Sequence, residues 1–264
     1  FGIELINIPM TEDGPDMDTV EQYVNNDAAV KGIWCVPKYS NPQGVVYSDE
    51  TVRRFANLKP AAADFRIFWD NAYVVHHLYE DNQAQILNIL DECEKAGNPD
   101  IVFQFCSTSK VSFPGAGIAA ISASAANIAD IKKRLTIQTI GHDKINQLRH
   151  VKYLKDKAHT LELMKKHAAI MGPKFKAVTE TLAREVDFFS SHREHIVALG
   201  HNGVRGNPCL FPARFFPELL ALEGDVGGGA VIRKHLDALL LFPADERELR
   251  DADTKDALAA LTSL

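Results

Sequence analysis

The sequence predicts an α/β fold: a mostly parallel sheet with helices on both faces, followed by a helical and irregular C-terminal part. Two observations carry this reading. From Phe1 to about Ser124, short apolar runs alternate with segments of helical spacing. The apolar runs are continuous rather than alternating, which is the pattern of strands buried on both faces. A third observation points to where function lies. Polar clusters directly follow three of the strands, and in parallel sheets ligand-binding groups gather where strands end and loops begin.

The elements follow in order. "IELINIPM" reads as the first strand. "MDTVEQYVNN" has helical spacing, with Asp16 placed to cap it. "GIWCV" is the next strand, and "YSDETVRRFANL" opens a helix capped by Ser48. Asp49 and Glu50 stand in its first turn, where acids favour the helix dipole. "FRIFW" is a strand, "NQAQILNILDECEKAG" a helix ended by Gly97, "IVFQF" a strand, and "GIAAISAS" another. From about Ala125 the chain turns to good helix formers. "NIADIKKRLTIQ" is followed by a long run from Asp143 to Val186, which Pro173 is expected to break. After Glu185 the sequence is rich in Gly and Pro with clustered aromatics, and a final helix-like stretch runs from Asp245 to Leu264. The expected division is therefore a large domain over residues 1–185 and a divergent small domain or aberrant tail over 186–264.

Composition bounds the function. The chain has 264 residues and a formal net charge of -6, so a general nucleic-acid-binding surface is not expected. No apolar run approaches the roughly 20 residues of a membrane span. The four cysteines form no CxxC pair, as in a chain from a reducing, cytoplasmic compartment. "FGIELINIPM" has no basic head or cleavage-like segment and no initiator methionine, so a fragment or trimmed chain is expected.

The three polar clusters are "PKYSNPQG" after "GIWCV", "DNAY" after "FRIFW", and "STSK" after "IVFQF". They bring an amide (Asn41), a carboxylate (Asp70), a phenol (Tyr73), two hydroxyls (Ser107 and Ser109) and an amine (Lys110) to one edge of the sheet. That set suits pyridoxal phosphate. An amine attacks the aldehyde, a carboxylate holds the ring nitrogen protonated, and an amide and a phenol hold the ring oxygen. Small hydroxyls and backbone N–H groups hold a phosphate. Because Lys110 follows a buried strand, it is expected to find a partner or to lose its charge.

In this order, "NPQG", "DNAY" and "STSK…PGAG" resemble the core of the class I aminotransferases, fold type I. "GIWCVPKYSNPQGVVYSDETVRRFA" and "QTIGHDKINQLRHVKYLKD" resemble the atypical bacterial aspartate aminotransferase subgroup. The resemblance covers Phe1 to about Glu185. It implies that Lys110 is the cofactor-bearing lysine that later moves the substrate's α-proton. It implies that Asp70 pairs with the pyridine nitrogen, that Tyr73 and Asn41 face the ring oxygen, and that Ser107, with Ser109 as a second candidate, binds phosphate. It further implies transamination between an amino acid, aspartate or glutamate, and a 2-oxo acid, in a homodimer.

The sequence departs from the family pattern. The arginine that many relatives carry about eight residues after the lysine is replaced by "AGI". The family's phosphate turn, stacking aromatic and substrate arginine are not located, and Arg205 and Arg214 match the last by residue type alone. Weak cofactor affinity and impaired turnover are expected of the chain by itself. Rival readings are a pyridoxal-phosphate lyase, a cofactor-sensing domain of a transcriptional regulator, and an inactive fragment.

Other motifs have plainer readings. "GAGIAA" matches a dinucleotide fingerprint, but it follows a proline turn and runs into a strand-like segment. His76-His77 and His192…His195 lack the acid and cysteine ligand set of a metal site and read as packing or surface histidines. No metal is expected.

Overall fold

The computed structural model describes residues 2–224 and 226–249, without the side chain of Arg247. The chain forms two compact units, Phe1–Gly172 and Pro173–Leu264.

The first unit opens with a small antiparallel pair, β1 (Met10–Thr11) and β2 (Gly14–Pro15). The longer strand expected over residues 3–10 does not form. Ile3 and Leu5 are 76% and 89% exposed; at the end of the segment Ile8 and Met10 pack on the core and Met10 pairs with Pro15. Helix α1 (Met17–Asn26) is capped by Asp16, whose Oδ1 accepts the Asp18 N–H at 3.1 Å. Strand β3 (Gly32–Cys35) leads to α2 (Asp49–Ala56), where Ser48 Oγ accepts the Thr51 N–H at 3.2 Å.

After β4 (Arg66–Asp70), helix α3 spans only Ile89–Lys95. It is shorter than the periodicity of "NQAQILNILDECEKAG" predicts, because Asn88 caps the Leu90 N–H and fixes the start there. Ile86 and Leu87, just before it, pack on the core as irregular chain. Gly97, at φ +72°, ends the helix in the left-handed conformation that favours glycine. Strands β5 (Val102–Ser107) and β6 (Ala119–Ser122) complete a four-stranded sheet of order β3-β4-β5-β6. The first two pairings are parallel and β5–β6 is antiparallel. In register, Cys35 lies beside Trp69 and Asp70 beside Phe105, so the three parallel strands end together.

One face of this sheet is the core. Cys35, Ile67, Trp69 and Val102 are buried against Val20, Val52, Phe55 and Cys93 from α1–α3. Burial pushes the Cys35 and Cys93 thiols up to about 12, so both stay protonated packing groups. The other face carries stacked aromatics. The Trp34, Phe68 and Phe105 rings lie nearly parallel, with centroids 5.6 to 6.1 Å apart. Trp34 remains 63% exposed, so among the described residues this face is not covered as the expected two-sided sheet would be.

Helices α4 (Ala125–Gln138), α5 (Lys144–Leu154) and α6 (Lys157–Ser191) follow. The long helical run breaks at Lys155, not at Pro173. Lys155 takes φ 58°, and Asp156 Oδ1 accepts the His159 N–H at 2.8 Å, starting a new helix. Pro173 lies inside α6; the long helical stretches on either side hold it around the one missing N–H. Among the described residues no helix is long and apolar enough to cross a membrane.

The second unit contains a sheet where the sequence reading expected helix and irregular chain. Strands β7 (Ile196–His201) and β8 (Val204–Leu210) form a hairpin around Asn202-Gly203, both at positive φ, as a tight primed turn requires. After α7 (Phe216–Leu220) and α8 (Gly229–Lys234), strand β9 (Leu239–Pro243) joins β7 in parallel. Ile196, Phe215, Val231 and Ile232 form the core of this unit. The helix-like stretch after Asp245 shows one 3₁₀ turn over Glu246–Leu249, and its remainder lies outside the described residues.

Candidate active site

The site is built where β3, β4 and β5 end. Asp70 is the last residue of β4, and Ser107 the last of β5. The chain leaves β4 still bound to its neighbour, with the Asn71 N–H donating to the Phe105 carbonyl at 2.9 Å. Asp70 shares a sheet face with Phe105, and therefore with the open aromatic surface. Both Asp70 and Tyr73 are half-buried.

Lys110 is exposed, although it follows an apolar strand. The loop turns outward within three residues of β5, and the amine finds a π-face instead of a carboxylate. Lys110 Nζ lies 4.6 Å from the centroid of the Tyr73 ring. His76 ties the same two loops together: its Nε2 is 3.2 Å from the Lys110 carbonyl and its ring meets Tyr73 edge-on at 5.7 Å. The loop after β3 reaches the loop after β4 through Tyr39, whose hydroxyl is 2.8 Å from His77 Nδ1. The adjacent histidines thus turn to different partners.

Asn41 lies in that first loop and is exposed. The Ser40 amide and hydroxyl bond Val45 across it, which holds "SNPQG" as a tight turn. Lys38, in the same loop, is only 5% exposed, with its amine 5.5 Å from the Tyr39 ring. Burial pulls its pKa down from the usual lysine range. Ser109 is exposed and donates its N–H weakly to Ser107 Oγ at 3.4 Å. Gly117 packs directly on Ser109: a Cβ there would strike the hydroxyl and lie 3.1 and 3.2 Å from the backbone nitrogen and Cα.

The structure therefore brings Tyr73 and Lys110 into contact, sets Asp70 and Ser107 on adjacent strand ends, and leaves Asn41 and Ser109 on exposed turns of the same edge. Lys38 and Tyr39 are members of the site that sequence reasoning does not single out, and His76, read from sequence as a packing or surface histidine, joins them. Lys38 and Tyr39 stand within the "PKYSNPQG" cluster itself, which is a signal for them. The concavity of about 540 Å³ lined by Glu21, Arg53 and Arg54, between α1 and α2, holds none of these residues. Of the two arginines singled out in the second unit, Arg205 donates to Cys209 Sγ at 3.3 Å and Arg214 to the Glu194 carbonyl.

The chain is similar to known proteins. The family described as aspartate amino-transferase matches residues 1–193. A curated protein of Mycolicibacterium smegmatis is 46% identical over 182 residues, and an aspartate aminotransferase of Corynebacterium glutamicum is 44% identical over 182 residues. Each match covers 69% of this chain and 42% of the relative, so the chain spans about two fifths of the length of the curated relatives it matches. A solved aspartate transaminase of Corynebacterium glutamicum is similar with a TM-score of 0.67 and 42% identity, covering 70% of this chain and 43% of that one. The fold alone is shared with an α-aminoadipate aminotransferase of Thermus thermophilus, at 22% identity and a TM-score of 0.56, over 69% of this chain and 45% of that one. With the match running through every element that builds the site, the chain belongs to the aspartate amino-transferase family.

Proposed function

We propose that this chain is the cofactor-binding part of a pyridoxal-phosphate-dependent aminotransferase that moves an amino group between aspartate or glutamate and a 2-oxo acid. The observation that carries the reading is the Lys110 amine set over the Tyr73 ring at the shared end of two parallel strands. The donor set fits the cofactor by its chemistry: one amine, one carboxylate, a phenol, an amide and two hydroxyls, all on one sheet edge. When bound, pyridoxal phosphate supplies an electron sink for charge developing at the amino acid's α-carbon.

The residues divide the remaining work. Lys110 would hold the cofactor through its amine and would carry the proton to and from the substrate's α-carbon. Asp70 holds a proton on the ring nitrogen, since a carboxylate beside a basic nitrogen favours its charged form. Tyr73 and Asn41 donate to the ring oxygen. Ser107 and Ser109, with the amides of their turn, hold phosphate. The reading assigns residues 1–185 to the cofactor-binding domain and 186–264 to a separate C-terminal part. It further assigns a homodimer and a cytoplasmic setting, in keeping with the resemblance and the free cysteines.

The test is direct. The chain incubated with pyridoxal phosphate is expected to gain a visible absorption band, and borohydride followed by peptide mapping is expected to find the cofactor on Lys110. Lys110→Ala abolishes both. Capture on a different lysine in the unaltered chain sinks the assignment.

A further inference from the structure

Helix α5 presents one face to the loop that carries Lys110. Asn146, Arg149, His150 and Tyr153 are spaced i, i+3, i+4 and i+7, which places them on one side of the helix. Each touches the segment 108–117. Asn146 Nδ2 donates to the Ala116 carbonyl at 2.9 Å, inside the "PGAG" turn. The Phe113 ring is met by Tyr153 at 4.9 Å, by His150 edge-on at 5.6 Å, and by the Arg149 guanidinium at 5.8 Å.

His150 is the centre of this contact and is only 4% exposed. Its Nδ1 is 2.9 Å from the Asn146 backbone carbonyl, which can only accept, so in the neutral ring Nδ1 carries the hydrogen and Nε2 is the acceptor. Nε2 lies 2.9 Å from Thr108 Oγ1 and 3.0 Å from Ser112 Oγ. Thr108 Oγ1 in turn accepts the Ile118 N–H at 2.8 Å, and the Thr108 carbonyl accepts the Val111 and Ser112 N–H groups at 3.0 and 2.8 Å. One buried ring nitrogen thus faces the hydroxyls on both sides of Lys110, two residues before it and two after. The Thr108 hydroxyl of "STSKVS" fastens the turn to α5, and the Ser112 hydroxyl beside it has both Nε2 and the Thr108 carbonyl, at 3.1 Å, as acceptors.

We propose that His150 is a positioning residue for Lys110, acting through Thr108 and Ser112, with α5 as the brace that fixes the direction of the amine. The inference rests on the reading of Lys110 as the cofactor lysine. Binding groups must be held to within a fraction of an ångström, and a lysine on an exposed turn has no burial of its own to hold it. A buried, hydrogen-bonded network around one ring supplies that rigidity.

The test uses chain 1–264 and its variants His150→Ala, Thr108→Val and Thr108→Ser. Hydrogen exchange without cofactor is expected to show about tenfold faster exchange at the Val111, Ser112 and Ile118 amides in His150→Ala and Thr108→Val, with α1–α3 unaffected. Thr108→Ser keeps the hydroxyl and is expected to retain protection. In parallel, the rate of borohydride-trapped pyridoxal phosphate capture on Lys110 is expected to fall in His150→Ala and Thr108→Val and to recover in Thr108→Ser. Should His150→Ala not fold, the two Thr108 variants still decide. Unchanged exchange, or loss spread evenly over the unit, overturns the clamp. Loosened exchange with an unchanged capture rate overturns the positioning role. Capture on another lysine in the unaltered chain overturns the reading of Lys110, while the exchange experiment still judges the clamp independently.

Discussion

Gly117 shows how tightly the lysine turn is packed. A methyl group there meets the Ser109 hydroxyl and lies within 3.2 Å of its backbone. The hydroxyl can rotate away, but the backbone cannot yield without moving the residue next to Lys110. Gly117→Ala is therefore expected to destabilise the first unit by about 1–3 kcal/mol, the usual cost of overpacking, and to reduce cofactor capture on Lys110. Denaturant midpoints and borohydride trapping measure the two effects; an unchanged midpoint shows that the turn has slack. At this scale the sequence is a good guide to residue type and a poor one to environment. Asp70, Tyr73 and Lys110 stand out because each follows an apolar strand. That Lys110 is exposed, with a ring for a partner, depends on where the loop goes after Ser107, which no local pattern encodes. The pairing of Thr108 with His150, 42 residues apart in sequence and bonded in space, lies beyond any single motif.

Among the elements, caps decide what can be read. Asp16 and Ser48 are legible because a capping side chain acts on residues two or three further on. Ser48→Ala is expected to cost about 1 kcal/mol, the typical value for a lost N-cap, since Ser48 Oγ also donates to Thr51 Oγ1 at 3.1 Å and α2 packs Val52 and Phe55 into the core. Chemical denaturation checks this, and a loss below a few tenths of a kcal/mol tells against the cap. The strand expected over residues 3–10 is absent for the opposite reason: apolar content alone cannot supply a neighbouring ladder. The hairpin of β7 and β8 carries a local signal, Asn202-Gly203, that the Gly- and Pro-rich sequence around it hides. Pro173 misleads because proline weakens a helix locally, while the helix persists if enough turns flank it. The break at Lys155–Asp156 is a capping event, and Asp156 is its sign.

At the scale of the whole molecule, the two units have separate cores and are expected to respond differently to pH. Glu185, on α6 in the second unit, is fully buried, and among the described residues neither carboxylate oxygen has a hydrogen-bond partner. Burial pushes its pKa from 4.5 up to about 7. The folded state therefore holds this proton at pH values where the unfolded chain has released it. Its contribution to stability is complete below about pH 4.5 and is lost as pH rises through about 7, at a slope of at most about 1.4 kcal/mol per pH unit for one group. Neighbouring Cys209 does not offset this, because its own thiol is pushed up by burial and, to a lesser degree, by Glu185. The contribution belongs to Pro173–Leu264, so thermal unfolding followed between pH 5 and 8 should show a pH-dependent loss in the transition of that unit. Glu185→Gln keeps the shape and removes the titration, so it is expected to flatten that dependence and to raise the midpoint above pH 7. A slope that survives in Glu185→Gln assigns the effect to another group. A flat profile in the unaltered chain shows that the carboxylate finds a partner or water in solution.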